Sequence, residues 1–435
     1  MSPIDLVNDL QKLVVSTFSG EVTDPFEVYK AKHKISDLCL ALLRSVQGPE
    51  EYTAILAESC QESSALNVIT SLNVADHIAE SPNGQLSLTE LSKKVKADEQ
   101  YLSVMLSSLA YHGYFVEVGG FGSQVYANNE FSNILLSETT HAKDGKSMKD
   151  AVGLAADDGA KSTTRLLEAA TGKGKESSKT AANIAFGFDG SVFQWMSSPG
   201  NEWRGKRTAK AMVQLHGMAN GEIGEDYSWE KLATPIIDIG GGIGSFEGVV
   251  LSAPKNRDLT FKIFDIEKTV EHAKKVWSGK PQWMQERVSF IAGDFMQSSP
   301  ADSKIPTPAE GAGTYVIRHV LHDWNDDQVV TILTHVRNAM LGSPPPTTST
   351  PPPRLLLVEM MLTETSSRFT RTTSLQLLSL SGGVTRTEDA DRPARVSRLS
   401  PVQFRKLIAQ AGFIVENVTA VRGVDLIVEL KPTPL

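Results

Sequence analysis

The sequence predicts an α/β chain with a doubly wound sheet in its C-terminal half and a mainly helical N-terminal half. Three observations carry this. A strand, a glycine-rich turn and a helix start follow one another at Thr234–Phe246. Short apolar strands then alternate with helical stretches to the end of the chain, the pattern of a parallel sheet covered on both faces. Before residue 135, apolar residues recur at helical spacing and end in a short hairpin.

The segment TPIIDIGGGIGSF (234–246) is the most informative stretch. Ile236, Ile237 and Ile239 read as a strand buried on both faces. Gly240, Gly241, Gly242 and Gly244 remove four side chains from the turn, so a ligand can approach the backbone and φ can turn positive. Ser245 is the expected cap of the following helix. This junction is where doubly wound folds hold a nucleotide-like cofactor. The spacing fits G-x-G-x-x-G only in part, because Phe246 and Glu247 stand where a third glycine would fall. There is no phosphate-loop Lys-Ser/Thr pair, and Asp238 suits a cationic or hydroxyl-rich ligand better than a pyrophosphate.

Bulk properties narrow the options. A chain of 435 residues has room for two or three domains. The net charge of −8 gives no basic footprint, so a nucleic-acid partner is not expected. Cys39 and Cys60 have neither metal-like nor redox spacing, which points to no metal, no disulfide scaffold and a reducing, cytoplasmic setting. The first residues, MSPIDLVNDLQKL, do not read as a secretory leader, and no apolar run is long enough to span a membrane.

Four segments follow in order. Residues 1–60 read as helices, with Leu6, Leu10, Leu13 and Val14, then Ile35, Leu38, Leu42 and Leu43 on apolar faces, a segment suited to packing on its own domain or on a second subunit. Residues 61–135 read as a winged helix. Helices are expected over Ala65–Ile78, from Ser87 (a capping box with Glu90) and over Gln100–His112, with Gly113 as a stop. Strands at Tyr114–Val118 and Gln124–Ala127 follow. The third helix carries no Lys or Arg, so the module reads as a dimerisation element rather than a DNA reader. Residues 136–230 are expected to be a helical connector. Trp195, Met212 and His216 there are either core or the lining of a substrate pocket. Residues 231–435 hold strands near Phe261–Phe264, Val288–Ala292, Gly313–Arg318, Leu355–Glu359 and Asp425–Leu430. Residues 343–353 are a Pro/Thr-rich loop expected to be disordered, and 385–395 a polar loop.

Taken together, D-I-G-G-G-I-G (238–244), F-D (264–265), G-D-F (293–295), R-H-V-L-H-D-W (318–324) and L-V-E (357–359) resemble the plant and fungal small-molecule O-methyltransferases. The resemblance covers roughly residues 60–430. It implies a winged-helix dimerisation domain, a Rossmann-like domain binding S-adenosylmethionine (SAM), and a homodimer acting on a small phenol or enol. By resemblance, Asp238 and the turn glycines face the cofactor, Asp265 takes its ribose hydroxyls, and Asp294 and Phe295 meet its adenine. Arg318 stands for a cofactor-contacting Lys, His322 is the general base, Asp323 and Trp324 hold its loop, and Glu359 orients the histidine.

One departure stands out. The family's second carboxylate is expected after Gly382-Gly383, and its place falls on Arg398 or, in another alignment, on Glu388. Some fungal relatives of these enzymes keep SAM as a fixed positive charge and catalyse ring closure or dehydration without methyl transfer. Arg398 leans toward that alternative, a pericyclase or dehydratase. The retained His322 leans toward methyl transfer.

Overall fold

The computed structural model describes residues 2–137, 147–172, 179–307, 313–342, 352–362, 366–383 and 404–434. Arg398, Glu388, the 385–395 loop and all but two residues of the 343–353 loop lie outside them. The chain divides into two compact units, one of Met1–Met218 with Leu378–Ser381, the other of Ala219–Leu377 with Gly382–Leu435.

The first unit opens with helix Pro3–Phe18, whose Ser2 and Asp5 form a capping box. Helical residues then run from Pro25 to Ser71, broken at Gly48, which takes φ 72° and ψ 177°. Only glycine tolerates that conformation cheaply, and Pro49 behind it lacks the N–H to continue the helix. The expected helix over Ala65–Ile78 is likewise two, because Asn73 adopts left-handed φ between Ser71 and Val74. The Ser87–Glu90 capping box is present. Strands β1 (Gln85–Ser87), β2 (Val116–Glu117) and β3 (Val125–Ala127) form a small antiparallel sheet in the order β1-β3-β2. Leu102, Leu106 and Leu109 of helix Glu99–Tyr111 bury one face against Ile69, Ile78 and Leu91. Each such side chain contributes about 1.5–3 kcal/mol by leaving water.

Further along this unit, a π-helical turn at Leu154–Gly159 places Asp157 and Asp158 side by side. The fully buried Asp158 pairs with both Arg204 and Arg207, the latter at 2.5 Å, and Arg207 also reaches Asp157 at 2.8 Å. The Arg204 guanidinium also lies over the rings of Phe186, Trp195 and Trp203.

The second unit is a seven-stranded sheet of β4 (Ile236–Ile239), β5 (Phe261–Asp265), β6 (Val288–Ala292), β7 (Thr314–Arg318), β8 (Arg354–Met360), β9 (Phe413–Ala420) and β10 (Asp425–Pro432). Its order is β6-β5-β4-β7-β8-β10-β9. The five strands β4–β8 are parallel, whereas β10 runs antiparallel to β8 and β9 antiparallel to β10. The fully parallel sheet expected from sequence therefore carries an antiparallel edge. Its last hairpin includes β9, whose exposed or half-exposed Glu416, Asn417 and Thr419 masked it as a strand. Apolar clusters cover both faces, one built on Leu321, Val329, Leu333 and Val336, the other on Trp229, Phe246 and Val250. The strand order reverses between β4 and β7, the place where such sheets open a ligand crevice at their carboxyl ends.

Removing Asp158 leaves two guanidinium groups short of their buried counter-charge. Asp158→Ala is expected to cost about 3–5 kcal/mol in chemical denaturation followed by far-UV circular dichroism. A loss under ~1 kcal/mol would contradict the role given to this pair.

Candidate functional site

The carboxyl ends of β4 to β8 bring together residues far apart in sequence. After β4, Gly240, Gly242 and Gly244 all take positive φ (76°, 60° and 78°). The turn is tightly enclosed: a side chain at Gly244 would collide with Trp277 and Ile263, and one at Gly240 with Val320. At Gly242 nothing lies within 4 Å of such an added atom, so this glycine presents open backbone. Ser245 is not the helix cap. Gly244 occupies that position and offers no side-chain acceptor, so no cap side chain takes the first N–H groups of helix Ser245–Ser252.

Asp265 ends β5 and accepts from the Gly242 N–H at 3.0 Å, tying the second strand end to the turn. Asp294 caps its own loop, accepting from Met296 N and Gln297 Nε2. The Phe295 carbonyl is held by His335, and the Phe295 ring meets Trp324 edge-on at 5.6 Å. An aromatic face, a strand-end carboxylate and an open glycine turn with an uncapped helix are the parts an adenosine-bearing cofactor needs, so the residues fit SAM.

The loop after β7 carries His322. Its Nδ1 lies 2.9 Å from Glu359 Oε2. The other carboxylate oxygen, Oε1, accepts from Val320 N at 3.1 Å and Leu321 N at 2.9 Å. Glu359 is 4% exposed near the end of β8, not a solvated strand-end carboxylate. Burial alone would lower the His322 pKa. The Glu359 charge and hydrogen bond, with Asp323 and Asp425 behind them, outweigh it and raise the imidazole to about 9. Burial pushes Glu359 upward in turn, and His322 more than reverses this, so its carboxyl is held below the usual range. With Nδ1 turned to Glu359, Nε2 is the nitrogen left to take a proton. Val320, from the same loop, lies against Gly240, so the histidine loop and the glycine turn are packed together.

Arg318 has partners of its own at this end of the sheet. Its guanidinium lies over Phe246, and its Nε is 3.7 Å from the buried Asp425 of β10. Asp425 also meets His319 Nε2 at 2.7 Å, and the His319 and His322 rings are 5.8 Å apart. Sequence reasoning missed His319, Asp425 and Glu247. The last lies in helix Ser245–Ser252, fully buried, with its carboxyl facing that of the equally buried Asp238. Trp195, Met212 and His216 belong to the other unit. There Trp195 stacks on Phe188 at 4.6 Å and packs, partly buried, against the Val192 and Met196 cluster. Met212 is exposed and His216 half-buried on helix Glu202–Asn220.

An O-methyltransferase domain model matches residues 167–413, more than half of the chain, and an O-methyltransferase dimerisation domain model matches residues 55–138. The chain belongs to the O-methyltransferase family. Its methyl donor is S-adenosylmethionine. The O-methyltransferase gedA of Aspergillus terreus is 24% identical over 91% of this chain and 85% of its own length. The mitomycin 7-O-methyltransferase MmcR has a solved structure that superposes with a TM-score of 0.67 at 25% identity, covering 88% of this chain and 98% of that one. The neocarzinostatin-pathway O-methyltransferase NcsB1, solved with SAM and 2-hydroxy-5-methyl naphthoic acid, superposes with a TM-score of 0.60 at 22% identity, covering 85% of this chain and 95% of that one.

Glu359→Gln removes the charge and keeps an oxygen for the loop N–H groups. The His322 midpoint, followed by NMR of the imidazole, is expected to fall from about 9 toward neutrality. A midpoint unmoved by the substitution would show that Glu359 does not set it.

Proposed function

We propose that the chain methylates a hydroxyl of a small aromatic or polyketide-type secondary metabolite, with His322 as general base and Glu359 as its positioning partner. The observation that carries this is the His322–Glu359 contact on a loop packed against the glycine turn. When bound, SAM supplies a methyl group on a positively charged sulfur. His322 Nε2 would take the hydroxyl proton of the acceptor as that oxygen gained the methyl group the sulfonium would supply. Glu359, already ionised, stabilises the imidazolium that results. In this reading Asp265 binds the ribose hydroxyls, the Asp294–Phe295 loop the adenine, and Asp238 and the glycines the rest of the cofactor. Trp195, Met212 and His216 are proposed for the acceptor side.

The imidazole of the free protein holds its proton up to about pH 9. A base must be neutral, so activity rises with pH through the His322 ionisation. A sulfonium held near His322 would disfavour the imidazolium and lower that ionisation below its free-protein value. The cofactor thus releases the base it needs.

The ring-closing alternative rested on Arg398, which lies outside the described residues. A cytoplasmic homodimer completes the proposal. Ile4, Val7, Val15, Phe18 and Val46 are exposed on the N-terminal helices, the apolar face a second copy would cover. Among the described residues no helix is long and apolar enough to cross a membrane, and Cys39 and Cys60 are unpaired.

His322→Ala is expected to slow methyl transfer at least ~10²-fold with SAM affinity retained, read by mass spectrometry of product and of S-adenosylhomocysteine. A rate close to wild type would remove His322 from the chemistry. A mass-neutral or dehydrated product with SAM unconsumed would replace methyl transfer with the ring-closing reading.

A further inference from the structure

Beneath the glycine turn lies a pair of carboxyls that takes no part in the proposed proton transfer: Asp238, proposed above to face the cofactor, and Glu247, which the mechanism does not use. Asp238 is 1% exposed on β4 and Glu247 is 0% exposed on the helix that follows. Neither oxygen of Glu247 meets a donor from another residue, nor does Oδ1 of Asp238. The two side chains face each other, and as two carboxylates neither could donate to the other. A single proton resolves this by turning an acceptor–acceptor clash into a hydrogen bond. The charges around the pair set where that proton sits. Among the described residues, Arg318 on β7 acts as a cation on both carboxyls, and it is shared with Asp425 on β10; Asp265 on β5 adds a further negative charge beside Asp238. Two buried carboxylates facing one shared cation are too costly to leave charged, and the pair keeps a proton instead.

Resting on the SAM reading of this turn, we propose that Glu247 holds a proton donated to Asp238 in the free protein and releases it to solvent when the cationic cofactor binds. SAM carries a sulfonium and an ammonium against one carboxylate, a net charge of +1, so it brings the counter-charge the pair lacks. The balance is simple: the O–H bond of Glu247 breaks, the proton passes to buffer, and the pair goes from one negative charge to two beside the new cation. Burial pushes Glu247 well above its ordinary value, reinforced by the Asp238 charge, and burial also pushes Asp238 up to about 6. Both directions agree with the geometry. Glu247 is thus a positioning residue for the cofactor: its proton keeps Asp238 in place beneath Gly241 while the site is empty of ligand.

The test is calorimetric titration of SAM into the full chain, in two buffers of different ionisation enthalpy, which reads the protons exchanged on binding. His322 also faces the cofactor and can release a proton, so wild type, Glu247→Gln and His322→Gln are compared. Wild type is expected to release protons, with affinity rising by up to about tenfold per pH unit where the pair titrates. Glu247→Gln is expected to release fewer protons and to show a flatter affinity profile, whereas His322→Gln retains the Glu247 share. Equal release by wild type and Glu247→Gln would overturn the proposal. If Glu247→Gln does not fold, the infrared difference spectrum of wild type with and without SAM decides: loss of a carboxylic-acid carbonyl band supports it, and no change in that band overturns it. Absence of any SAM binding would instead remove the cofactor reading beneath it.

Discussion

The grip of Glu359 on the loop after β7 is the interaction on which the site depends. One carboxylate, buried near the end of β8, accepts from two successive backbone N–H groups and from the histidine ring. A free loop would sample many orientations of His322, and ordering it costs conformational entropy. Glu359 offsets that cost with three charge-assisted hydrogen bonds in a water-poor setting, each stronger than a neutral one. The same contact selects the ring nitrogen that faces outward and sets how tightly it holds a proton. Structure and chemistry therefore share one residue.

The parallel sheet makes that grip possible. Glu359 and the 319–322 loop belong to neighbouring parallel strands, so both arrive at the same edge. The glycine turn arrives there from β4, adjacent to β7 on its other side. Gly240 has no side chain, and that lets Val320 pack into the turn. A carboxylate, an imidazole and the glycine turn come together because the sheet order reverses between β4 and β7.

The strand–turn–helix at 234–246 and the strand ends at Asp265, Asp294 and Arg318 were legible in the sequence because apolar runs, glycines and polar ends each leave a local signature. The pairing of His322 with the strand-end Glu359 was legible only through the family resemblance, which implied it. Glu247 was not legible: a glutamate in the first turn of a helix ordinarily faces water and favours the helix dipole. Its burial follows only from how that helix lies on β4. Asp425 and His319 were missed for a similar reason. Their meeting requires the antiparallel hairpin of β9 and β10, and β9 alternates too weakly to announce itself. Arg318 was singled out only by resemblance to a cofactor-contacting Lys; its contacts with the buried Asp425 and the Phe246 ring left no signature in the sequence. Ser245 lost the cap because Gly244 alone could take the left-handed turn.

The central claim is that a histidine held by Glu359 takes the acceptor proton, and that the cationic cofactor frees it to do so. The most direct measurement is the pH dependence of methyl transfer at saturating SAM with a hydroxylated acceptor that is turned over. The account predicts a rate that climbs with pH along a single ionisation whose midpoint lies below the value of about 9 set in the free protein. A rate independent of pH across that range, or one that falls as pH rises toward neutrality, would contradict it.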